Sequence, residues 1–316
     1  MSNSQKSSPR VAFQGEHGAF SEAAAIQLLG EKIVTVPRLT FDSAFRAIAE
    51  GAADALLAPV ENSLAGSVVR VYDLLLESSL GIVAETILPI EHHLIGCPGA
   101  TLSGLKSVSS HPMALAQCEK FFLSHPQLKR VPAEDTAGSV RDVLASGDRS
   151  AAGIAGRPAA IRYGGVILSE SIQDNAENFT RFVLLVPLPK PPSESDAMES
   201  GDPWGHPTLP GLFGDLRARQ PEPAAPLTFK MSMALRLAHK PGALLAALEP
   251  FAQRGINLLK IESRPIHGTP WEYQFFLDVE TESPEQIKAA IEAVRAATSF
   301  SRILGLYRPA RPESSA

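Results

Sequence analysis

Cysteine is almost missing from this chain. Cys97 and Cys118 are the two among 316 residues, and neither sits in a CxxC or Cys/His spacing, which removes the usual zinc patterns. So sparse a complement fits a reducing compartment. No apolar run approaches the roughly 18 residues of a membrane helix. The start, Met1 to Arg10, is polar and lacks the apolar region of a secretory signal; a cytoplasmic protein with no membrane partner is expected. Positive charge is not in excess either. Lys and Arg total 29 against 34 Asp and Glu, a net −5, so there is no basic footprint for nucleic acid. Three nucleotide and hydrolase signatures are absent as well: the dinucleotide GxGxxG, the Walker A Gly-Lys-Ser/Thr, and the G-x-S-x-G elbow. What is present is ordinary for a soluble globular protein, 44% hydrophobic and 20% charged, with room for two domains.

From Val11 to about Val186 strand-like and helix-like segments alternate. The pattern predicts strands at 11–13, 33–36 and 55–60. It predicts helices at 20–29, with Gly30 at the end, at 41–49 behind the N-cap Thr40, and at 68–76. This rhythm implies a largely parallel sheet covered by helices. Residues 82–96 read as one long extended crossing. After it the rhythm restarts, with helices at 113–122 and 136–144 and short strands at 151–155 and 166–168. A long crossing between two α/β units is the bilobal layout of a type II periplasmic-binding-protein-like domain. Residues 188–226 lose periodicity and are rich in proline; they read as a linker. Beyond it, strands at 229–237, 257–264, 273–279 and 301–307 and helices at 242–254 and 284–297 give βαββαβ, the α+β ferredoxin-like pattern. The expected domains are 10–187, the linker 188–226, and 227–308.

Chemistry-bearing residues gather at predicted strand ends. Thr180 and Arg181 stand where a loop enters the apolar strand 183–186, and such edges of open α/β sheets bind ligands. Glu61, Asn62 and Ser63 follow another strand; they either hydrogen-bond a ligand or only cap the turn. Gly15 and Gly18 join a strand to a helix, where backbone can approach a ligand and free N–H groups face an anion. His92 and His93 are adjacent on an extended segment and so point to opposite faces. They do not make a metal pair, and a satisfied or exposed histidine is the default for each.

Read in order, these pieces form a resemblance. Gln14-Gly15 with Gly18-Ala19-Phe20-Ser21 comes first, then Pro59-Val60-Glu61-Asn62-Ser63 with Gly66. His111-Pro112, Leu115-Ala116-Gln117-Cys118 and Asp135-Thr136-Ala137 follow, and Asn178-Phe179-Thr180-Arg181-Phe182 closes the series. The chain resembles the monofunctional bacterial prephenate dehydratases. Its tail resembles their regulatory ACT domain, through Pro241-Gly242-Ala243-Leu244-Leu245 and Ile261-Glu262-Ser263-Arg264-Pro265. It departs from the family in Ala19, where many members carry Thr, in Leu245 for Val, and in a longer linker.

The resemblance implies conversion of prephenate to phenylpyruvate with loss of CO2 and water. Aromatisation drives that reaction, so no cofactor or metal is required. It implies catalytic roles for Thr180, Arg181, Glu61, Asn62 and Ser63, with Thr180 assisting the departing hydroxyl. Gly18, Ala19, Ser21, Gln117, Thr136 and Phe182 are implied to bind substrate. L-phenylalanine is the implied effector, at Gly242, Ala243, Leu244, Leu245, Glu262, Ser263, Arg264 and Pro265, in a homodimer or homotetramer. The alternatives are an arogenate dehydratase, or a small-molecule sensor on the same fold.

Overall fold

The computed structural model describes residues 8–188, 228–266, 268–269 and 272–311. The expected linker lies almost wholly outside these residues. The chain forms two units. One is built on the described parts of Met1–Ser78 and Thr86–Leu184, the other on Ser79–Glu85 and the described parts of Leu185–Arg311.

The first unit begins with β1 (Arg10–Gln14), α1 (Phe20–Leu29), β2 (Val34–Arg38), α2 (Phe41–Ala49), β3 (Ala55–Asn62), the two-residue β4 (Gly66–Ser67) and α3 (Val69–Glu77). The helix signals act as read. Thr40 and Ser43 form a reciprocal capping box at α2, whose Ala44, Phe45, Ala47 and Ile48 face the core. β1 pairs in parallel with β2 and β3. The later strand β11 (Phe179–Pro187) lies between β3 and β5 (Leu80–Pro89), giving the order β2-β1-β3-β11-β5. Val183 to Val186 are fully buried, as a continuous apolar run in a central strand requires.

The segment read as one crossing is instead two strands in different sheets, β5 and β6 (His93–Gly96). The second sheet adds β7 (Ser107–Ser110), β8 (Lys129–Pro132), β9 (Ala151–Ala155) and β10 (Val166–Ser169), in the order β10-β6-β9-β7-β8. It is mixed: β7 runs parallel to β8 and β9, while β6 is antiparallel to β9 and β10. The helix expected over 113–122 is broken into α4 (Pro112–Ala116) and α5 (Glu119–Ser124). The cause is Asp174, whose carboxylate accepts the N–H groups of Glu119 at 3.0 Å and Lys120 at 2.9 Å and so starts α5 afresh. α6 (Thr136–Ser146) and α7 (Arg157–Tyr163) complete the unit. Cys97 and Cys118 are both free and buried. Burial pushes the Cys118 thiol pKa up to about 12, with Asp174 adding to it.

The second unit contains β12 (Phe229–Arg236), α8 (Ala243–Ala252), β13 (Asn257–Pro265), β14 (Tyr273–Thr281), α9 (Pro284–Ala297) and β15 (Phe300–Tyr307). Its antiparallel sheet has the order β13-β14-β12-β15, the ferredoxin-like arrangement. Ile287, Ala290, Ile291 and Val294 bury one stripe of α9 against Met231, Met233 and Leu277. Two buried polar groups mark this unit. Ser232 Oγ lies 2.5 Å from Asp278 Oδ1 and 2.6 Å from Tyr307 Oη. Lys230 Nζ lies 3.1 Å from Glu85 Oε2, both side chains out of solvent, and Glu85 Oε1 also accepts the Ala310 N–H at 2.8 Å.

Candidate active site

Because β11 lies beside β3, their ends bring Glu61, Asn62 and Ser63 against Asn178, Thr180 and Arg181. Asn62 is the hub. Its Oδ1 accepts the backbone N–H groups of Leu64 at 3.1 Å and Ala65 at 2.9 Å. A backbone N–H can only donate, so the orientation of this amide is fixed. Asn62 Nδ2 therefore donates, to Asn178 Oδ1 at 2.7 Å, Thr180 Oγ1 at 2.9 Å and Phe179 O at 3.1 Å. Thr180 Oγ1 is an acceptor in this contact, and its own proton is directed elsewhere. With Thr180 only 7% exposed, a hydrogen bond from that proton is stronger than in water.

Ser63 is held by the scaffold. Its N–H donates to Phe179 O at 2.8 Å and its hydroxyl to Glu177 O at 2.9 Å, while Oγ accepts the Phe179 N–H at 2.9 Å. Arg181 Nη2 donates to Glu61 Oε2 at 3.1 Å and to Tyr72 Oη at 3.4 Å. The guanidinium thus positions Glu61 at the mouth of the strand pair.

Asn178 carries the network from the first sheet to the second. Its Nδ2 donates to Gln117 Oε1 at 3.2 Å. Gln117 ends α4 at the break that Asp174 creates, and the Asp174 N–H donates to Gln117 O at 2.7 Å. On its far side, Gln117 Oε1 lies 2.9 Å from His92 Nε2. His92 is buried, with its ring edge-on to Phe20 at 5.8 Å. Burial holds its pKa below the ordinary 6.5. Its neighbour His93 faces the other way, its Nδ1 accepting the Ser171 N–H at 3.1 Å. The sequence pattern alone left His92 outside the site. The alternation of the two rings was legible, but the meeting with Gln117, 25 residues away, was not.

The glycine turn has a different occupation from the one expected. The Gly18 N–H donates to Glu22 Oε2 at 2.6 Å and the Ala19 N–H to Glu16 O at 3.1 Å, so neither is free for an anion. Gly18 has φ +86°, and a Cβ there would stand 2.8 Å from Ala159 Cα. Ala19, 8% exposed, belongs to a core cluster with Phe13, Ala159 and Ala160. Gly18 and Ala19 therefore join the two sheets of the unit by packing, and the Ala in place of Thr is a core residue. Burial pushes the pKa of Glu22 up. Bonds from the Gly18 N–H, the Thr35 hydroxyl and His17 outweigh that and hold it below the ordinary 4.5. Ser21 is buried in the first turn of α1, and Thr136 is half-buried at the start of α6. Phe182 is 2% exposed, which makes its ring part of the core beneath β11.

In the second unit, a small cleft of about 150 Å³ is lined by His239, Lys240, Ala243, Leu244, Tyr273 and Phe275, among others. Of the residues the resemblance implies for the effector, Ala243 and Leu244 line this cleft. Gly242 caps α8 at φ +80° with open space where a Cβ would stand. Leu245 is 71% exposed and does not line the cleft. Glu262 Oε2 lies 3.4 Å from Lys260 Nζ. Arg264 is half-buried, its Nε without a hydrogen-bond partner, while Ser263 and Pro265 are exposed. Among the described residues no helix is long and apolar enough to cross a membrane.

The chain is similar to known proteins over both units. The prephenate dehydratase family model matches residues 11–189, and the ACT domain model matches residues 234–296. The chain is 36% identical over 322 residues to arogenate dehydratase/prephenate dehydratase 1, chloroplastic, of Arabidopsis thaliana, covering 97% of this chain and 74% of that one. Among solved structures it resembles the prephenate dehydratase of Arthrobacter aurescens in complex with L-Phe, with TM-score 0.77, 29% identity, and 95% and 90% of the two chains covered. It also resembles GqqA, described as a novel type of quorum quenching acylase, with TM-score 0.77, 32% identity, and 96% and 98% covered. The chain belongs to the prephenate dehydratase family and is a dehydratase that carries an ACT domain.

Proposed function

From that family membership we propose that the chain converts prephenate to phenylpyruvate and that phenylalanine, bound by the ACT domain, inhibits it. The observation that carries the reading is the Asn62–Thr180 contact: a buried hydroxyl whose oxygen already accepts a bond has its proton left to give. In the reaction the bond between the ring and its carboxylate breaks and CO2 leaves. The electron pair moves into the ring, and the ring C–O bond breaks at the opposite carbon. The departing hydroxide takes up a proton and leaves as water. Thr180 supplies a hydrogen bond to that oxygen as charge develops on it. Gln117 offers its Nε2 amide to a substrate carboxylate. Arg181 acts by holding Glu61, and Ser63 by holding the turn that carries Asn178.

Arogenate undergoes the same elimination, and the Arabidopsis relative's name includes both activities. The name of GqqA raises amide hydrolysis. A hydroxyl nucleophile needs a base to take its proton, whereas Thr180 faces the donating amide of Asn62, which favours dehydration. For the second unit, the Arthrobacter enzyme was solved in complex with L-Phe, and the cleft beside Leu244 is the proposed phenylalanine site here. The deciding experiment incubates the full chain with prephenate, then with arogenate, and follows phenylpyruvate and phenylalanine, with and without added phenylalanine. Phenylpyruvate from prephenate, suppressed by phenylalanine, is expected. Turnover of arogenate alone, or no effect of phenylalanine, would overturn the corresponding half.

A further inference from the structure

His92 ends a hydrogen-bonded chain whose direction is fixed at its other end by the main chain. The Leu64 and Ala65 N–H groups set the Asn62 amide. Asn62 Nδ2 makes Asn178 Oδ1 an acceptor, so Asn178 Nδ2 is the donor to Gln117 Oε1. A carbonyl oxygen only accepts, so the ring nitrogen 2.9 Å away on His92 must carry hydrogen. Each link leaves one assignment for the next. Nε2 therefore carries a proton, and Nδ1, buried, has no partner among the described residues.

We infer that His92 is a positioning residue for the dehydratase reaction: its Nε2–H locks the Gln117 amide, which seats Asn178, the side chain against which Asn62 and, through it, Thr180 are placed. Without that donor, Gln117 can rotate and present its NH2 to the NH2 of Asn178. That contact is repulsive and loosens the Asn178 side chain on which Asn62 is seated. The unpartnered Nδ1 fits a ring retained for its other nitrogen. Ordinary core packing would accept an apolar side chain of this size and avoid a buried polar atom without a bond. The inference rests on the dehydratase reading of the Thr180 site.

Its test has two arms, both on the full chain. In the first, kcat is measured for His92→Leu and His92→Gln, each alone and in a Thr180→Val background. His92→Leu should lower kcat about tenfold, the scale of one lost hydrogen bond. His92→Gln, whose amide N–H reaches Gln117, should recover most of that loss. In the Thr180→Val background His92→Leu should cost less than about twofold, because residues acting through one group are not additive. A merely structural histidine would lower kcat equally in both backgrounds, and that result, or an unchanged kcat, would overturn the inference. The second arm needs no variant. Nitrogen-15 NMR of histidine-labelled protein should find the His92 proton on Nε2; a proton on Nδ1 would overturn the assignment even if His92→Leu failed to fold. An inactive wild type would sink the proposed reaction, whereas an active one with either contrary result sinks this inference alone.

Discussion

Asn62 donates to Thr180 and cannot accept from it. The 2.9 Å contact between Nδ2 and Oγ1 has a fixed sense because Leu64 and Ala65 occupy the other end of the amide. A threonine hydroxyl ordinarily rotates to suit its neighbours; here the neighbours leave it one role.

Thr180→Val keeps the shape and removes the hydroxyl. Asn62 Nδ2 retains Asn178 Oδ1 and Phe179 O as acceptors, so folding should survive. Loss of one well-placed donor costs about 10²–10³ in kcat. Thr180→Ser should retain most activity. Steady-state assays of both variants check this, and a Val variant as fast as wild type contradicts the assigned role.

Asn62→Asp is nearly isosteric but replaces a donor by an acceptor. It would face three oxygens, those of Asn178, Phe179 and Thr180. The Thr180 proton would turn inward to the new carboxylate. Activity should fall at least as far as in Thr180→Val. Stability should also drop by about 1–3 kcal/mol, the scale of buried polar groups losing their partners. Urea unfolding beside the assay separates the two effects; an unaltered midpoint would show that the hub is not structural.

Glu22 makes stability depend on acid. Its pKa is lower folded than unfolded, so its contribution is complete above the ordinary 4.5 and is lost as pH falls through the lower folded value. Glu22→Gln should be less stable than wild type at neutral pH, and the gap should narrow in acid. Denaturation midpoints at several pH values test this, and a gap independent of pH would remove the carboxylate from the explanation.

Lys230 and Glu85 form a buried pair inside the second unit. Lys230→Met leaves a buried carboxylate with the Ala310 N–H but without its ammonium. The expected destabilisation is about 3–5 kcal/mol, and Glu85→Leu in addition should recover much of it. Equal stability of Lys230→Met and wild type would mean that solvent reaches the pair.

Much of this was legible in the sequence because it depends on neighbours along the chain. The apolar run 183–186 placed a central strand, and so placed Thr180 and Arg181 at its entry. Thr40 announced α2, and the order βαββαβ announced the C-terminal fold. What was not legible depends on distant partners. The break that exposes Gln117 is made by Asp174, and the role of His92 passes through Gln117 and Asn178. The glycine turn looked like an anion site, but the N–H of Gly18 belongs to Glu22, and its small residues answer to Ala159. Ser79–Glu85 joins the C-terminal elements through contacts such as Gly305, where a Cβ would stand 2.2 Å from Ile82 O; no local pattern announces that.

The two thiols have a practical consequence. Cys97 and Cys118 are buried, and Cys118 ionises only near 12, so at neutral pH it presents no thiolate to an alkylating reagent. A fluorophore or spin label should therefore find a silent background. One cysteine introduced on the exposed face of α8, for instance at Leu245, would report from that position alone. Binding of the proposed effector could then be watched without first deleting either natural cysteine.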